Sequence, residues 1–92
     1  MEIFGAVMAK NDGHAYKILE DLQREYILDC FAIGKEIDVS NPRSFRYLDA
    51  FVDNDGYLTL KEDMGEKTIQ ELIPALPGYK LYNFTADYTE VY

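Results

Sequence analysis

The stretch that decides the fold is EIFGAVMA, at residues 2–9. It is almost wholly apolar, and the turn-forming sequence KNDG at residues 10–13 follows it, so we predict a buried strand. A secretory signal would carry basic residues ahead of its apolar stretch, whereas this one begins with Glu2. The other end of the chain, residues 79–92, reads YKLYNFTADYTEVY. Because it is rich in aromatic and β-branched residues and free of Gly and Pro, we predict a strand there too.

A first helix is predicted from about residue 13 to residue 33. Asp12 serves as its N-cap and Gly34 supplies the left-handed residue after its last turn. Its buried face is formed by residues at spacings of three and four, namely Ala15, Ile18, Leu19, Leu22, Tyr26 and Cys30. Residues 26–33 could instead form a strand. No Gly or Pro separates them from the helix, and we therefore assign them to it.

Two further helices are predicted in the second half of the chain. Ser40-Asn41-Pro42 begins one of them, with Phe45, Leu48 and Val52 on one face, and Asp53-Asn54-Asp55-Gly56 ends it before a short strand at 57–60. Alternatively, residues 45–52 form a strand and the Asp-Gly turn closes a hairpin. The last helix begins at a capping box of Thr68 and Glu71, buries Ile69, Leu72, Ile73 and Leu76, and is short or kinked at Pro74. Strands at both ends and two to three helices between them predict a single small α+β domain over residues 1–92.

Length and composition limit the kinds of protein that this chain can be. A chain of 92 residues has the length of one domain, and 48% hydrophobic residues with eight Tyr and five Phe are sufficient for a core. No apolar run reaches the roughly 18 residues of a membrane span. The single cysteine, Cys30, cannot form an intrachain disulfide, so we expect a cytoplasmic protein without membrane association.

The chain is acidic, and unevenly so. Its net charge is −8, and while residues 1–48 hold eight acids and six bases, residues 49–92 hold nine acids and three bases. Nucleic acids are bound by Lys- and Arg-rich surfaces, so we do not expect this chain to bind one directly. A basic protein is the partner that such a charge favours.

Catalysis has little support in the sequence. His14 is the only histidine and lies near the start of the first predicted helix, while Cys30 lies on its apolar face. The chain has no paired His and Cys spacing for a metal and no glycine-rich phosphate loop. We therefore predict neither an enzyme nor a cofactor or metal site.

One short segment resembles the calcium-binding loop of EF-hand proteins. In residues 51–62, Asp53, Asp55 and Gly56 occupy loop positions three, five and six, and Glu62 occupies position twelve. Position one is Phe51 instead of the aspartate that supplies the first ligand, and there is no second loop. A degenerate calcium module is therefore the weakest of the alternatives.

The arrangement of the acids predicts a binding surface. Asp21, Glu25 and Asp29 follow at intervals of four in the first predicted helix, about 6 Å apart along its axis. A second, denser group begins at Asp49. The candidate partner-binding carboxylates are Glu20, Asp21, Glu25, Asp29, Asp49, Asp53, Asp55, Glu62, Asp63, Glu66 and Glu71.

In size, acidity, tyrosine content and lack of catalytic motifs, the chain resembles the small DNA-mimic inhibitors encoded by phages, such as the anti-restriction proteins of T-even phages. The resemblance is one of overall character and carries no shared motif. It implies carboxylates that stand in for phosphates and an acidic surface extended by homodimerisation. It also implies inhibition of a host DNA-binding protein, either a restriction nuclease or a nucleoid-associated protein.

In a rival interpretation, the acidity of the chain serves only its solubility. The chain would then be a protein-specific inhibitor or antitoxin that binds through aromatic side chains, for which Tyr82 and Tyr88 in the C-terminal stretch are the candidates.

Overall fold

The computed structural model describes residues 1–64, 71 and 76–89. In chain order the elements are β1 (Glu2–Ala9), α1 (Asp12–Arg24), β2 (Leu28–Glu36), a first 3₁₀ helix (Pro42–Phe45), β3 (Ala50–Val52), β4 (Leu58–Leu60), a second 3₁₀ helix (Lys61–Met64) and β5 (Lys80–Tyr88). The predicted α+β class is confirmed, with one α-helix in the described part of the chain. The strands predicted near the two ends and at 57–60 are also confirmed.

The five strands form one mixed sheet in the order β2-β5-β1-β3-β4. The pair β1 and β3 is parallel, whereas the other three neighbouring pairs are antiparallel. Strand β1 is paired with β5 along its whole length, from Glu2 opposite Asp87 to Ala9 opposite Lys80. The apolar stretch at 2–9 is therefore central in the sheet, which explains why both of its faces are apolar.

Each face of the sheet is covered by its own core. Helix α1 packs its buried residues, Ala15, Ile18, Leu19 and Leu22, onto one face, which we call the helix side. On the opposite face the 37–48 connection and the second 3₁₀ helix contribute Ile37, Phe45, Leu48 and Met64. Alternation along β1 serves both cores, since Ile3, Val7 and Ala9 face α1 while Ala6 and Met8 face the other way.

The prediction of one helix from 13 to 33 is wrong beyond Arg24. The N–H groups of Tyr26 and Ile27 donate to the carbonyls of Gln23 and Leu22, at 3.0 and 3.2 Å, which is the pattern of a Schellman motif. Tyr26 adopts the left-handed conformation (φ 61°) that this motif requires. Residues 28–36 then pair with β5 as β2, so the alternative of a strand is the correct one.

Three further predictions about that helix are also wrong. Its N-cap is Asn11, whose side-chain oxygen accepts the His14 N–H at 2.9 Å, while Asp12 is the first helical residue. Tyr26 and Cys30 are exposed, and Cys30 has a φ of 49°. Gly34 lies within β2 and ends no helix.

The second predicted helix is replaced by shorter elements. Asn41 does cap a helical turn, accepting the Arg43 N–H at 3.1 Å, but the turn is a 3₁₀ helix that ends at Phe45. Val52 lies in β3 and faces α1, on the opposite side of the sheet from Phe45 and Leu48. Pairing of β3 with β1 and β4 outweighs the helical spacing, and the Asp-Gly turn closes the β3–β4 hairpin. Apart from Glu71, the third predicted helix, at 68–76, lies almost entirely outside the described residues.

Candidate acidic interface

Three carboxylates lie side by side across neighbouring strands. In the β2–β5 pair Asp29 is directly opposite Asp87, and in the β5–β1 pair Asp87 is directly opposite Glu2. We call Asp29, Asp87 and Glu2 the acidic row. Neighbouring strands are about 4.8 Å apart, so the row carries one carboxylate for every 5 Å or so.

The side chains of Asp87 and Glu2 project from the face of the sheet opposite α1, whereas the Asp29 carboxylate, on the edge strand β2, contacts Gln23 of α1. Asp87 and Glu2 each lie next to a residue of the helix-side core, namely Ala86 and Ile3. Because successive strand residues point to opposite faces, these two acids point away from that core. All three acids of the row are exposed to solvent.

The row continues past β1 towards the other edge of the sheet. A cleft of about 500 Å³ brings Glu2 together with Asp49, which precedes β3, and Glu62, which follows β4. Asp49 also stabilises the fold. Its carboxylate accepts the Phe4 N–H at 2.9 Å, and its own N–H donates to the Phe4 carbonyl at 2.7 Å. It remains exposed, so its charge still adds to the surface.

Two cations lie at this surface. Lys61 lines the same cleft as Glu2 and Glu62. The N-terminal ammonium of Met1 donates to the carbonyl of Tyr88 at 3.2 Å. Among the described residues neither cation forms an ion pair within 4 Å, so the carboxylates of the row are left without a salt-bridge partner.

Like charges placed directly opposite each other in an antiparallel pair are destabilising. The acidic row contains two such contacts, Asp29 with Asp87 and Asp87 with Glu2. Asp29 is held by neighbouring polar groups, since one of its oxygens accepts from Gln23 Nε2 at 3.2 Å and from the Cys30 N–H at 2.9 Å. Within the described chain, Glu2 and Asp87 have no side-chain hydrogen bond to offset the repulsion.

A second acidic group lies on the helix side. Asp21 of α1, Glu25 at the end of that helix and Asp55 of the β3–β4 turn line a cleft of about 320 Å³, together with His14 and Lys17. The predicted helical stripe of Asp21, Glu25 and Asp29 is wrong, because Asp29 lies in β2 and not in the helix. Arg24 partly neutralises the helix, contacting Glu20 at 2.9 Å and Asp21 at 3.8 Å.

The segment similar to an EF-hand loop forms a tight hairpin turn. One oxygen of Asp53 accepts the N–H groups of Asp55 and Tyr57, both at 2.9 Å, so it stabilises the turn. Glu62 lies in the second 3₁₀ helix and lines the cleft at the acidic row. In residues 1–64, 71 and 76–89, no group of three or more His, Cys, Asp or Glu side chains is arranged to hold a metal ion.

The remaining predicted carboxylates are Asp63, Glu66 and Glu71. Asp63 is exposed in the second 3₁₀ helix, and Glu71 is exposed. Glu66 lies outside the described residues. Glu2 and Asp87 were missed by the sequence reasoning, because only the register of β1, β5 and β2 brings these distant acids together.

His14 and Cys30 have local roles. His14 Nδ1 accepts the Lys10 N–H at 3.0 Å, which fixes the chain where β1 passes into α1. Cys30 is a free, exposed thiol, so its predicted place in the core is wrong.

Of the two tyrosines named in the rival interpretation, one is buried and the other lines a surface groove. Tyr82 is buried in the helix-side core, where only 5% of it is exposed, and is therefore no contact residue. Burial, followed by the charge of Asp12 and its hydrogen bond to the phenol, raises the pKa of Tyr82. Tyr88 and the exposed Tyr57 line a mostly apolar groove of about 520 Å³, with Leu22, Ile27 and Leu58.

Comparisons of the chain with protein families, with curated proteins and with solved structures gave no match. None of the helices in the described ranges is long and apolar enough to cross a membrane.

Proposed function

We propose that this chain binds a basic DNA-binding protein through the acidic row and its continuation at Asp49 and Glu62, and so competes with DNA. The observation that carries the proposal is the register that sets Asp29, Asp87 and Glu2 side by side. The chain would act without catalysis and without a cofactor. A DNA-binding target, such as a restriction nuclease or a nucleoid-associated protein, would place it in the cytoplasm.

The linear charge density of the row is of the same order as that of one DNA strand. One strand of duplex DNA advances about 3.4 Å per phosphate, and the acidic row has one carboxylate about every 5 Å. The sheet holds these charges on paired strands, so little ordering is needed when a basic groove closes over them. Long-range attraction between a chain of net charge −8 and a basic surface would also accelerate their association.

The local energetics favour a role for the row beyond solubility. Acids needed only for solubility can lie anywhere on the surface, and beside lysines they do not lower the stability of the fold. Here three acids face one another across strands, where like charges lower stability. Such a local cost is typical of functional surfaces.

The test is displacement by DNA. The protein is immobilised, proteins from a bacterial lysate are retained on it, and excess duplex DNA is then applied. We expect the retained proteins to be DNA-binding proteins that DNA elutes, and we expect retention to fall steeply as salt rises, because screening shortens the reach of the charges. Retention that neither DNA nor salt reduces would contradict the proposal.

Two matched variants locate the surface. Glu2→Gln with Asp87→Asn removes two charges from the acidic row, whereas Asp21→Asn with Glu25→Gln removes two from the helix-side group. The net charge changes equally, so solubility effects cancel. We expect the first pair to weaken retention about tenfold or more and the second pair to have a much smaller effect. The reverse order would move the site to the helix side.

A second candidate function rests on the apolar groove beside Tyr57. This side chain is 74% exposed at the rim of the groove, and Tyr is favoured where partner proteins make their strongest contacts. If the chain is a protein-specific inhibitor, Tyr57→Ala should abolish retention of the partner. Charge reversal at Asp55, Glu62 and Asp63 should then leave it intact, and Asp53 is left unchanged because it stabilises the turn that carries Tyr57.

A further inference from the structure

Strand β2 forms one edge of the sheet. Its nine residues, Leu28–Glu36, pair with β5 on one side, and no other described strand pairs with it. The N–H and C=O groups on the outer side of such a strand can pair with another strand. The strand at the opposite edge, β4, has only three residues. Strand β2 is therefore the longer of the two edges on which the sheet can grow.

The central part of β2, residues 29–35, is complementary to itself when it is reversed about Ala32. In an antiparallel pair of two copies centred there, Phe31 is opposite Ile33 and Asp29 is opposite Lys35. Each match occurs twice because of the two-fold symmetry. Phe31 and Ile33 are partly buried against the helix-side core, so each would gain an apolar neighbour. Ala32 itself is exposed and small, which allows two copies to approach closely.

The irregularities of β2 are compatible with this pairing. The strand has one extra residue relative to β5 between Asp29 and Ala32, and another between Ile33 and Glu36. Bulges of this kind usually discourage pairing at an edge. The two-fold axis through Ala32, however, sets the bulge before Ala32 in one copy against the bulge after it in the other. Each extra residue is thus met by an extra residue, and the register is kept.

We infer that two copies of this chain associate through β2, antiparallel and centred on Ala32, to form a continuous ten-stranded sheet. The two-fold axis of such a pair is perpendicular to the sheet, so both α1 helices lie on the same face. Lys35 of each copy neutralises Asp29 of the other, while Asp87 and Glu2 stay exposed on the opposite face. The inference does not rest on the proposed function, because it depends only on the pattern of β2.

A cysteine at the axis tests the register. In the background of Cys30→Ser, Ala32→Cys puts a single thiol opposite its own copy, where directly opposed Cβ atoms are about 5 Å apart and close to disulfide distance. We expect mild oxidation to give a disulfide-linked dimer. Cys30→Ser with Val39→Cys is the matched control, since Val39 is exposed but lies outside β2. Equal cross-linking at both positions would overturn the register.

Charge reversal tests the contacts without a covalent bond. Lys35→Glu sets two glutamates against two aspartates, and we expect dimerisation to weaken about tenfold or more, as measured by sedimentation. Lys61→Glu makes the same change in net charge away from β2 and should leave the dimer intact. A wild-type chain that sediments as a monomer at every concentration, or equal effects of the two variants, would overturn the inference.

Mixing two variants gives the sharpest result. Lys35→Glu repels its own copy, and so does Asp29→Lys, but in a mixed pair each position 29 faces an opposite charge at position 35. We expect native mass spectrometry to find mainly the mixed dimer, which would also prove that both variants fold. Separate monomers after mixing would contradict the antiparallel arrangement. The DNA-displacement assay on monomeric Lys35→Glu tests the proposed function separately.

Discussion

Gly5 is fixed by the close approach of β5 to β1. A Cβ added at this position would lie 2.5 Å from two ring carbons of Phe84 and 3.0 Å from the carbonyl oxygen of Ala50. The ring is fully buried in the helix-side core, so it must move against other core side chains to make room. We therefore expect Gly5→Ala to lower the free energy of unfolding by about 1–3 kcal/mol in urea titration. Gly34→Ala, where the nearest atom is at 3.5 Å, should have little effect. Equal losses would contradict the steric explanation.

Tyr26 is the residue at which the first helix stops. It holds a left-handed conformation while its side chain is 82% exposed, so the strain has no compensating burial. Tyr26→Gly should raise the free energy of unfolding by up to about 1 kcal/mol, because Gly adopts this conformation without strain. Lys17→Gly within α1 should instead lower it by about 1 kcal/mol. Thermal unfolding of the two variants checks the contrast, and a loss at both positions would contradict it.

At the scale of elements, Asp49 joins β1 to the start of β3. Its side chain and main chain bond Phe4 on both sides, and its carbonyl accepts the Lys61 N–H at 2.8 Å. Asp49→Ala leaves the Phe4 N–H without this acceptor and should cost about 1 kcal/mol of stability. Asp49→Asn keeps an acceptor oxygen and should cost much less. If both variants lose the same stability, the charge and not the hydrogen bond is what matters at this position.

Tyr82 of β5 connects the sheet to the N-terminus of α1. Burial, then Asp12 and Glu36, raises the pKa of its phenol from the ordinary 10.0. A raised pKa in the folded state stabilises the fold below pH 10, and this contribution is lost as the pH rises through the folded-state value. Tyr82→Phe has no phenol to ionise, so its urea midpoint should fall less than that of the wild type between neutral pH and pH 11. Parallel curves would contradict a role for this phenol.

At the scale of the whole molecule, self-repulsion lowers stability. Asp87 is central in the acidic row, and Asp87→Asn removes both like-charge contacts at once. We expect it to raise the free energy of unfolding by a few tenths of a kcal/mol at low salt. The gain should vanish at about 1 M salt, where charges are screened within about 3 Å. Asp38→Asn is the contrasting control, since the Asp38 carboxylate accepts from the Ser40 hydroxyl at 2.6 Å and its pKa is lowered by that bond.

Parts of the fold were predictable because their signals are local. Residues 2–9 and 80–88 are strands because composition and the flanking turns favour no other structure. The helix-side residues from Ala15 to Leu22 follow one helical face. The end of α1 was not predictable, because a tyrosine occupies the left-handed position where Gly is usual. In the same way, helical spacing at Phe45, Leu48 and Val52 arose from residues that serve opposite faces of a sheet.

The candidate site was predictable only in part. The sequence indicated an acidic surface and included Asp29, Asp49 and Glu62 among its residues. It also grouped Asp29 with Asp21 and Glu25 on one helix, which the β2 strand overturns. Glu2 and Asp87 are 85 positions apart in the chain, and no local pattern connects them. Their contact follows from the register of β1 with β5.

The sequence by itself determined the α+β class, the acidity and the positions of the terminal strands, since these depend on composition and on neighbouring residues. Only the tertiary structure decided that β5 returns between β1 and β2, which sets three distant carboxylates in one row and leaves β2 at an edge. Strand order and register depend on which apolar faces can be buried together. That choice is made by long-range packing, and a single strand read alone does not contain it.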